Sequence, residues 1–266
     1  INFDEKMIPY KVFPMFEFGP LHINMYGIMF ALGILAATFL AVREAKKREI
    51  DEDIIHELVI YLIVGLIAGA RIFYVIFYWS KNMPLTFFDI FKIWEGGLAF
   101  FGGFIGAITV GYLFLKKNKL NFWVYADIFA VPLVIGHIFG RFGDYFMGGH
   151  PGKITNLPWA IYLDNALRHP IVLYEIIGLS FIVIILLSLK KAKFFEGFIF
   201  LSYVMLYSIQ RMILDYFRIE STDPRYLGLT PSQYTVILLF IIAVYFMLVN
   251  TNKIILKLVN TKKIKR

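Results

Sequence analysis

The sequence predicts an all-α integral membrane protein, a bundle of about seven transmembrane helices with an extracytoplasmic cap region. Three observations carry this expectation. Of the 266 residues, 59% are hydrophobic and 28 are phenylalanine, where a soluble domain averages about 45–50% apolar. Only 17% are charged, and they gather in short runs between apolar segments instead of spreading over a surface. The apolar segments themselves approach the roughly 20 residues a helix needs to cross a hydrocarbon layer about 30 Å thick.

Seven spans follow in order, at 21–42, 55–79, 98–115, 122–140, 170–189, 195–217 and 231–250, within one polytopic domain covering 1–266. The first carries "INMYGIMF" and ends in the basic run "REAKKRE". The second is entered through "EDIIHE", a solvated helical start. Around the start of the third, "WEGGLAFFGGFIGA" spaces glycines as close-packing helix surfaces do, more than as a binding loop does. After the fourth, "IGHIFGRFGDYFMGGHPG" leads into an excursion at 141–169, too polar and too rich in glycine and proline to cross lipid. The fifth begins after "RHP", the sixth contains "QRMILDYFR", and the polar "RIESTDPRYLGLTPSQY" precedes the seventh.

Lysine and arginine in the short connections set the orientation. Basic runs follow spans one, three, five and seven as "REAKKRE", "KKNK", "KKAK" and "NKIILKLVNTKKIKR", so these ends are expected in the cytoplasm and the amino terminus outside. The net charge of +8 is thereby accounted for beside lipid headgroups, without invoking nucleic acid. The first twenty residues lack the basic-then-apolar pattern of a cleavable signal peptide. Cysteine is absent, so a thiol in the chemistry has to come from a partner. No phosphate-loop or metal-binding pattern is present, and neither cofactor nor metal is expected.

Charge is costly in hydrocarbon, about 2.5–3.5 kcal/mol at the least for an ionised side chain at mid-span. Arg71, Arg141, Arg211, Asp215 and Arg218 nevertheless lie within or at the margin of spans. Arg211, Asp215 and Arg218 recur at i, i+4 and i+7 and so share one helical face. A salt-bridge ladder with Arg71 snorkelling to an interface is one reading. The other is an anion pocket, since the arginines outnumber the one acid of that stripe and a guanidinium matches phosphate in bidentate geometry. At that depth a lipid phosphate is the natural guest.

Taken in order, "HINMYGIMF", "GARIFYVIFY", "WEGGLAFFGG", "ADIFAVPLVIGHIFGRFGDYF", "RHPIVLYE", "QRMILDYFR" and "LTPSQ" make the chain resemble the phosphatidylglycerol–prolipoprotein diacylglyceryl transferase family along nearly its whole length. The resemblance implies seven spans in the bacterial plasma membrane. It also implies transfer of a diacylglyceryl group from phosphatidylglycerol to the lipobox cysteine thiol of a prolipoprotein. On it, Arg141 and Arg211 clamp the phosphate with Arg218, Tyr26 matches the tyrosine of the first span, and Gly152 closes the signature. Asp215 stands where the family has glutamate and holds Arg211 or Arg218, while His169 and Glu175 anchor the start of span five.

The chain departs from the family pattern at Asp144 and Met147 for asparagines, Gly149 for glutamate and Phe101 for histidine. His137, four residues before Arg141 on the same helical face, and His150, next to Gly149, are candidates for the base, with Asp144 as the orienting acid. Two alternatives remain open on these residues: a non-catalytic relative that binds anionic phospholipid or a lipoprotein precursor, and a transporter whose arginines line an anion path.

Overall fold

The computed structural model describes residues 8, 10–13, 15–18, 21–77, 86, 88, 91, 98–192, 194–220 and 225–264. Among them the order is β1 Met15–Phe18, β2 Leu21–Asn24, α1 Met25–Lys47, α2 Glu52–Phe77, α3 Phe100–Lys117, α4 Phe122–Met147, β3 Ile161–Leu163, β4 Ala166–Arg168, α5 Ile171–Leu189, α6 Phe198–Leu214 and α7 Pro231–Ile264. The strands form two antiparallel hairpins, β1 with β2 and β3 with β4. Six of the helices are long and apolar enough to cross a membrane, and α3 has 18 residues. The protein is an all-α, multi-pass membrane protein.

The boundaries differ from the sequence expectation in ways that bear on the charged residues. Residues 21–24 pair as β2, and α1 begins where the Asn24 side chain accepts the Tyr26 backbone N–H at 2.8 Å, as an N-cap residue does. Helix α4 runs on to Met147, so residues 141–147 of the expected excursion are helical and carry Arg141 and Asp144 on that helix. Helix α6 gives way after Leu214 to a single 3-10 turn, Asp215–Phe217. Helix α7 continues to Ile264, because its lysine-rich end contains neither glycine nor proline to stop it. Residues 94–97 of the glycine motif lie outside the described residues.

The chain divides into two compact units, Ile1–Ala37 with Ala126–Arg266, and Thr38–Tyr125. In the second unit α2 and α3 meet through glycines. A methyl group at Gly106 would strike the Gly65 carbonyl oxygen, and one at Gly69 that of Gly102, the close approach that small residues permit between membrane helices. Arg71 is buried in this unit with its guanidinium 5.5 Å from the Tyr74 ring centroid.

The first unit packs Ala130, Val131 and Val134 of α4 against Leu179, Ile182 and Leu186 of α5 and Ile199 of α6. Their outward faces remain apolar, as Leu133 of α4, Phe181 of α5 and Ile209 of α6 show; in lipid such faces need no cover, and packing quality decides which face turns inward. Ser180, Ser188, Ser202 and Ser208 return their hydroxyl protons to the carbonyl four residues earlier, so no polar group is left facing hydrocarbon unbonded at those positions.

Two helix starts are tied to other elements. Asp127 of α4, which is buried, accepts the backbone N–H of Gly197 at 2.8 Å and of Phe200 at 3.0 Å, and so caps α6 from a neighbouring helix. Asp127→Ala should lower stability by about 1–3 kcal/mol through the orphaned donors, and Asp127→Asn, which keeps one acceptor, by less. Thermal unfolding in detergent compares the three proteins; equal midpoints would reject the cap.

At α7 the stretch "TPSQ" forms a reciprocal box. Gln233 N–H donates to Thr230 Oγ1 at 3.1 Å, Thr230 N–H donates to Gln233 Oε1 at 3.0 Å, and Pro231 opens the helix. The Thr230 hydroxyl also donates to Asp215 Oδ2 at 2.7 Å. The start of α7 is therefore fixed to the acid that follows α6.

Candidate functional site

The first unit gathers its internal charges around Glu175, in the second turn of α5. Glu175 Oε1 accepts Arg211 Nη1 at 2.8 Å and Arg218 Nη2 at 3.0 Å, and Oε2 lies 3.0 Å from Arg141 Nε. Three guanidinium groups from three parts of the chain thus converge on one carboxylate. Asp215 joins them, its Oδ1 3.0 Å from Arg211 Nε and 3.5 Å from Arg218 Nε. The 3-10 turn is what keeps Arg218 beside Asp215 after the α-helix ends. Arg211 Nη2 also donates to Ser232 Oγ at 3.2 Å, and Gln210 Nε2 to the Glu175 carbonyl at 3.0 Å.

Arg141 closes the cluster on the α4 side. Its Nη1 lies 2.6 Å from Asp144 Oδ2, and its Nε donates to His137 Nε2 at 3.2 Å. On the stripe of Arg211, Asp215 and Arg218 the arginines outnumber the one acid, but acids from other segments restore the balance: among the described residues Arg141, Arg211 and Arg218 face Asp144, Glu175 and Asp215, three charges of each sign. Glu175, expected only to anchor the start of α5, is the centre. Its signal in the sequence was an acid one turn inside an apolar helix, the kind of residue lipid tolerates only when paired.

Exposure runs in one direction across the cluster. The side chains of Asp215 and Arg218 are 0% and 1% exposed, whereas those of Arg141 and Asp144 are each 16% exposed and that of His150 39%. Ion pairs at the buried end are shielded from water and salt, and exchange of partners is easiest at the open end. His150 reaches from that open end to the buried one: its Nε2 is 4.0 Å from Asp144 Oδ1 and its Nδ1 is 3.2 Å from Arg218 Nη1. Burial first, and the Arg218 guanidinium second, hold the His150 imidazole below its ordinary pKa, while Asp144 pulls the other way.

The other candidates of the first unit sit around this core. Tyr26 at the start of α1 lies against Gly143, where an added methyl would be 3.1 Å from the tyrosine Cδ2, so the glycine of "GRFGD" admits the ring against α4 two residues beyond Arg141. Gly152 bridges the backbone of Arg218 as an isolated antiparallel pair, and a methyl there would collide with the His169 carbonyl. His169 Nδ1 is 3.3 Å from Tyr174 Oη, and its ring meets Phe217 edge-on with centroids 5.1 Å apart. His137 is edge-on to Tyr207 at 5.2 Å. Phe101 belongs to α3, and its side chain is outside the described residues.

Two hollows border the cluster. A cavity of about 10 Å³, room for about one water, lies among Tyr10, Tyr145, His150, His169 and Ile171. A wider apolar groove of about 260 Å³ runs between α5 and α6, lined by Tyr174, Ile177, Gly178, Gln210, Ile213 and Leu214. Gln210 thus touches both the groove and the backbone of the central acid.

Comparison with known proteins gives consistent relatives. Residues 14–249 match the family model described as prolipoprotein diacylglyceryl transferase. The chain is 37% identical to the phosphatidylglycerol–prolipoprotein diacylglyceryl transferase of Aliarcobacter butzleri, over 91% of this chain and 94% of that one. It is 40% identical to the protein of the same name from Clostridioides difficile, over 76% and 81% of the two chains. For that of Finegoldia magna the figures are 36% identity over 91% and 96%.

Proposed function

The chain belongs to the prolipoprotein diacylglyceryl transferase family, and on that premise we propose that it moves a diacylglyceryl group from phosphatidylglycerol to the lipobox cysteine thiol of a prolipoprotein. The sulfur–carbon bond forms at the glycerol carbon that carries the phosphate. The carbon–oxygen bond to that phosphate breaks, and glycerol phosphate departs with the electron pair. The protein does this in the bacterial plasma membrane, with its amino terminus outside and its carboxy terminus in the cytoplasm.

The convergence of three arginines on Glu175, open at its Arg141 end, is the observation that carries this reading. Arg141 is the first contact for the phosphate, with Arg211 and Arg218 behind it. Because the cluster is already neutral, an arriving phosphodiester has to displace a carboxylate from a guanidinium. Asp144 is the one to yield, since it is more exposed than Glu175 or Asp215. Asp215 and Glu175 hold the arginine planes in register, and Tyr26 flanks Arg141. Gly152 lets the loop pass close beside Arg218, and His169 secures the start of α5. The α5–α6 groove offers apolar surface beside the same cluster for a lipid chain.

The test is direct. Purified protein with phosphatidylglycerol and a lipobox peptide should give a diacylglyceryl adduct on the peptide cysteine by mass spectrometry. Lipid binding without adduct would assign the chain to the non-catalytic reading that the residues at 101, 144 and 149 leave open.

A further inference from the structure

We propose that His150, partnered by Asp144, accepts the proton of the attacking thiol, and that the lipid phosphate itself releases the imidazole lone pair for this task. The proposal rests on the transferase reading above.

His150 is more exposed than the arginines and carboxylates of the cluster, and it stands 3.2 Å from Arg218 Nη1 at the buried end and 4.0 Å from Asp144 Oδ1 at the open end. It sits in the left-handed region, φ 53°, which a non-glycine residue occupies only when its surroundings hold it there. The turn closing α4 does so: Gly148 N–H donates to the Tyr145 carbonyl at 3.2 Å, and Gly149 N–H to that of Asp144 at 2.9 Å. This carries the ring back over the helix end. Arg218 can only donate, so Nδ1 accepts from it, and Nε2 carries the ring proton and faces Asp144. Before lipid binds, the lone pair needed for general-base work is engaged by Arg218.

An arriving phosphodiester offers the arginines stronger acceptors than a neutral imidazole. Arg218 Nη1 turns to it and leaves Nδ1 free, while Arg141 Nη1 gives up Asp144. The thiol proton then passes to Nδ1, sulfur attacks carbon, and the phosphate takes the bonding pair and a second negative charge. Asp144, no longer paired to Arg141, meets the new imidazolium through Nε2–H. An asparagine at position 144 could not supply that charge, which makes Asp144 and His150 a matched pair. The other groups facing the imidazole are Arg141 and Glu175 from the cluster, and His169, Tyr10 and Tyr145 around the small cavity.

The test is the pH dependence of transfer from phosphatidylglycerol to a lipobox peptide in lipid nanodiscs, between about pH 5 and pH 9. Wild-type kcat/KM should rise along an acid limb centred below the ordinary histidine pKa of about 6.5. His150→Gln should lower kcat by about 10²–10⁴-fold with KM for the lipid changed only a few-fold, and added imidazole should restore part of the rate. Asp144→Asn, which removes the anion that favours the imidazolium, should move the acid limb to lower pH. This variant decides the matter if His150→Gln fails to fold. A His150→Gln protein with the wild-type rate and profile, or an acid limb unmoved by Asp144→Asn, would overturn the proton acceptor while leaving the transferase reading intact. Absence of any transfer by the wild-type protein would overturn both.

Discussion

Glu175→Gln is expected to cause the largest loss of folded protein of any single change in this chain. The carboxylate it removes is the shared partner of Arg141, Arg211 and Arg218, and its side chain is only 5% exposed. Breaking a buried ion pair by removing one partner costs about 3–5 kcal/mol, because the other charge is left without compensation. Here three guanidinium groups would lose their centre at once, with two carboxylates remaining. A glutamine oxygen retains shape and a weak acceptor but no charge. The measurement is the thermal unfolding midpoint in detergent, alongside the yield of monodisperse protein. Charge balance makes a second demand: Glu175→Gln combined with Arg218→Gln should recover part of the loss, since two cations would then face two carboxylates. A double variant no better than Glu175→Gln alone would show that geometry, not charge, sets the stability of the cluster.

Arg141→Ala should leave the fold nearly intact and remove function. Arg141 lies at the exposed end of the cluster, and its loss leaves Glu175 with Arg211 and Arg218. Asp144 loses a partner, but it sits at the same open end, where water can take the place of the guanidinium. Hydrogen bonds to charged groups contribute about 1.5–3 kcal/mol each, so binding of phosphatidylglycerol vesicles should weaken by about tenfold or more. Turnover should fall further, by about 10²–10³-fold, because the departing phosphate gains charge that the clamp would have met. Arg141→Lys should recover little, since an ammonium cannot offer the planar fork. Unchanged lipid binding by Arg141→Ala would remove this residue from the clamp.

The two variants separate roles that the sequence could not separate. "QRMILDYFR" showed a basic, acidic, basic stripe at helical spacing, and the structure pairs its members as that spacing suggests. "GRFGD" showed an arginine that lipid would not tolerate alone. What neither segment contained was the counter-ion joining them. Glu175 lies in "RHPIVLYE", 34 residues after Arg141 and 36 before Arg211 in the chain, and no local pattern says that its side chain meets both. Asp127 was hidden in the same way: an acid in "ADIFAVPLV" reads as an isolated cost until the open helix start at Gly197 is brought to it.

The sequence by itself determined the membrane class, the helices to within a few residues at most ends, and the family. Those depend on short-range quantities: runs of apolar side chains long enough for a bilayer, helix-capping residues, and ordered motifs. The tertiary structure alone decided which acid answers which arginine, that the cluster is neutral instead of basic, and that its open end lies at Arg141, Asp144 and His150. The reason is physical. Ion pairing in a medium of low dielectric depends here on distances of 2.8–3.0 Å between groups far apart along the chain, and those distances exist only once the helices have packed.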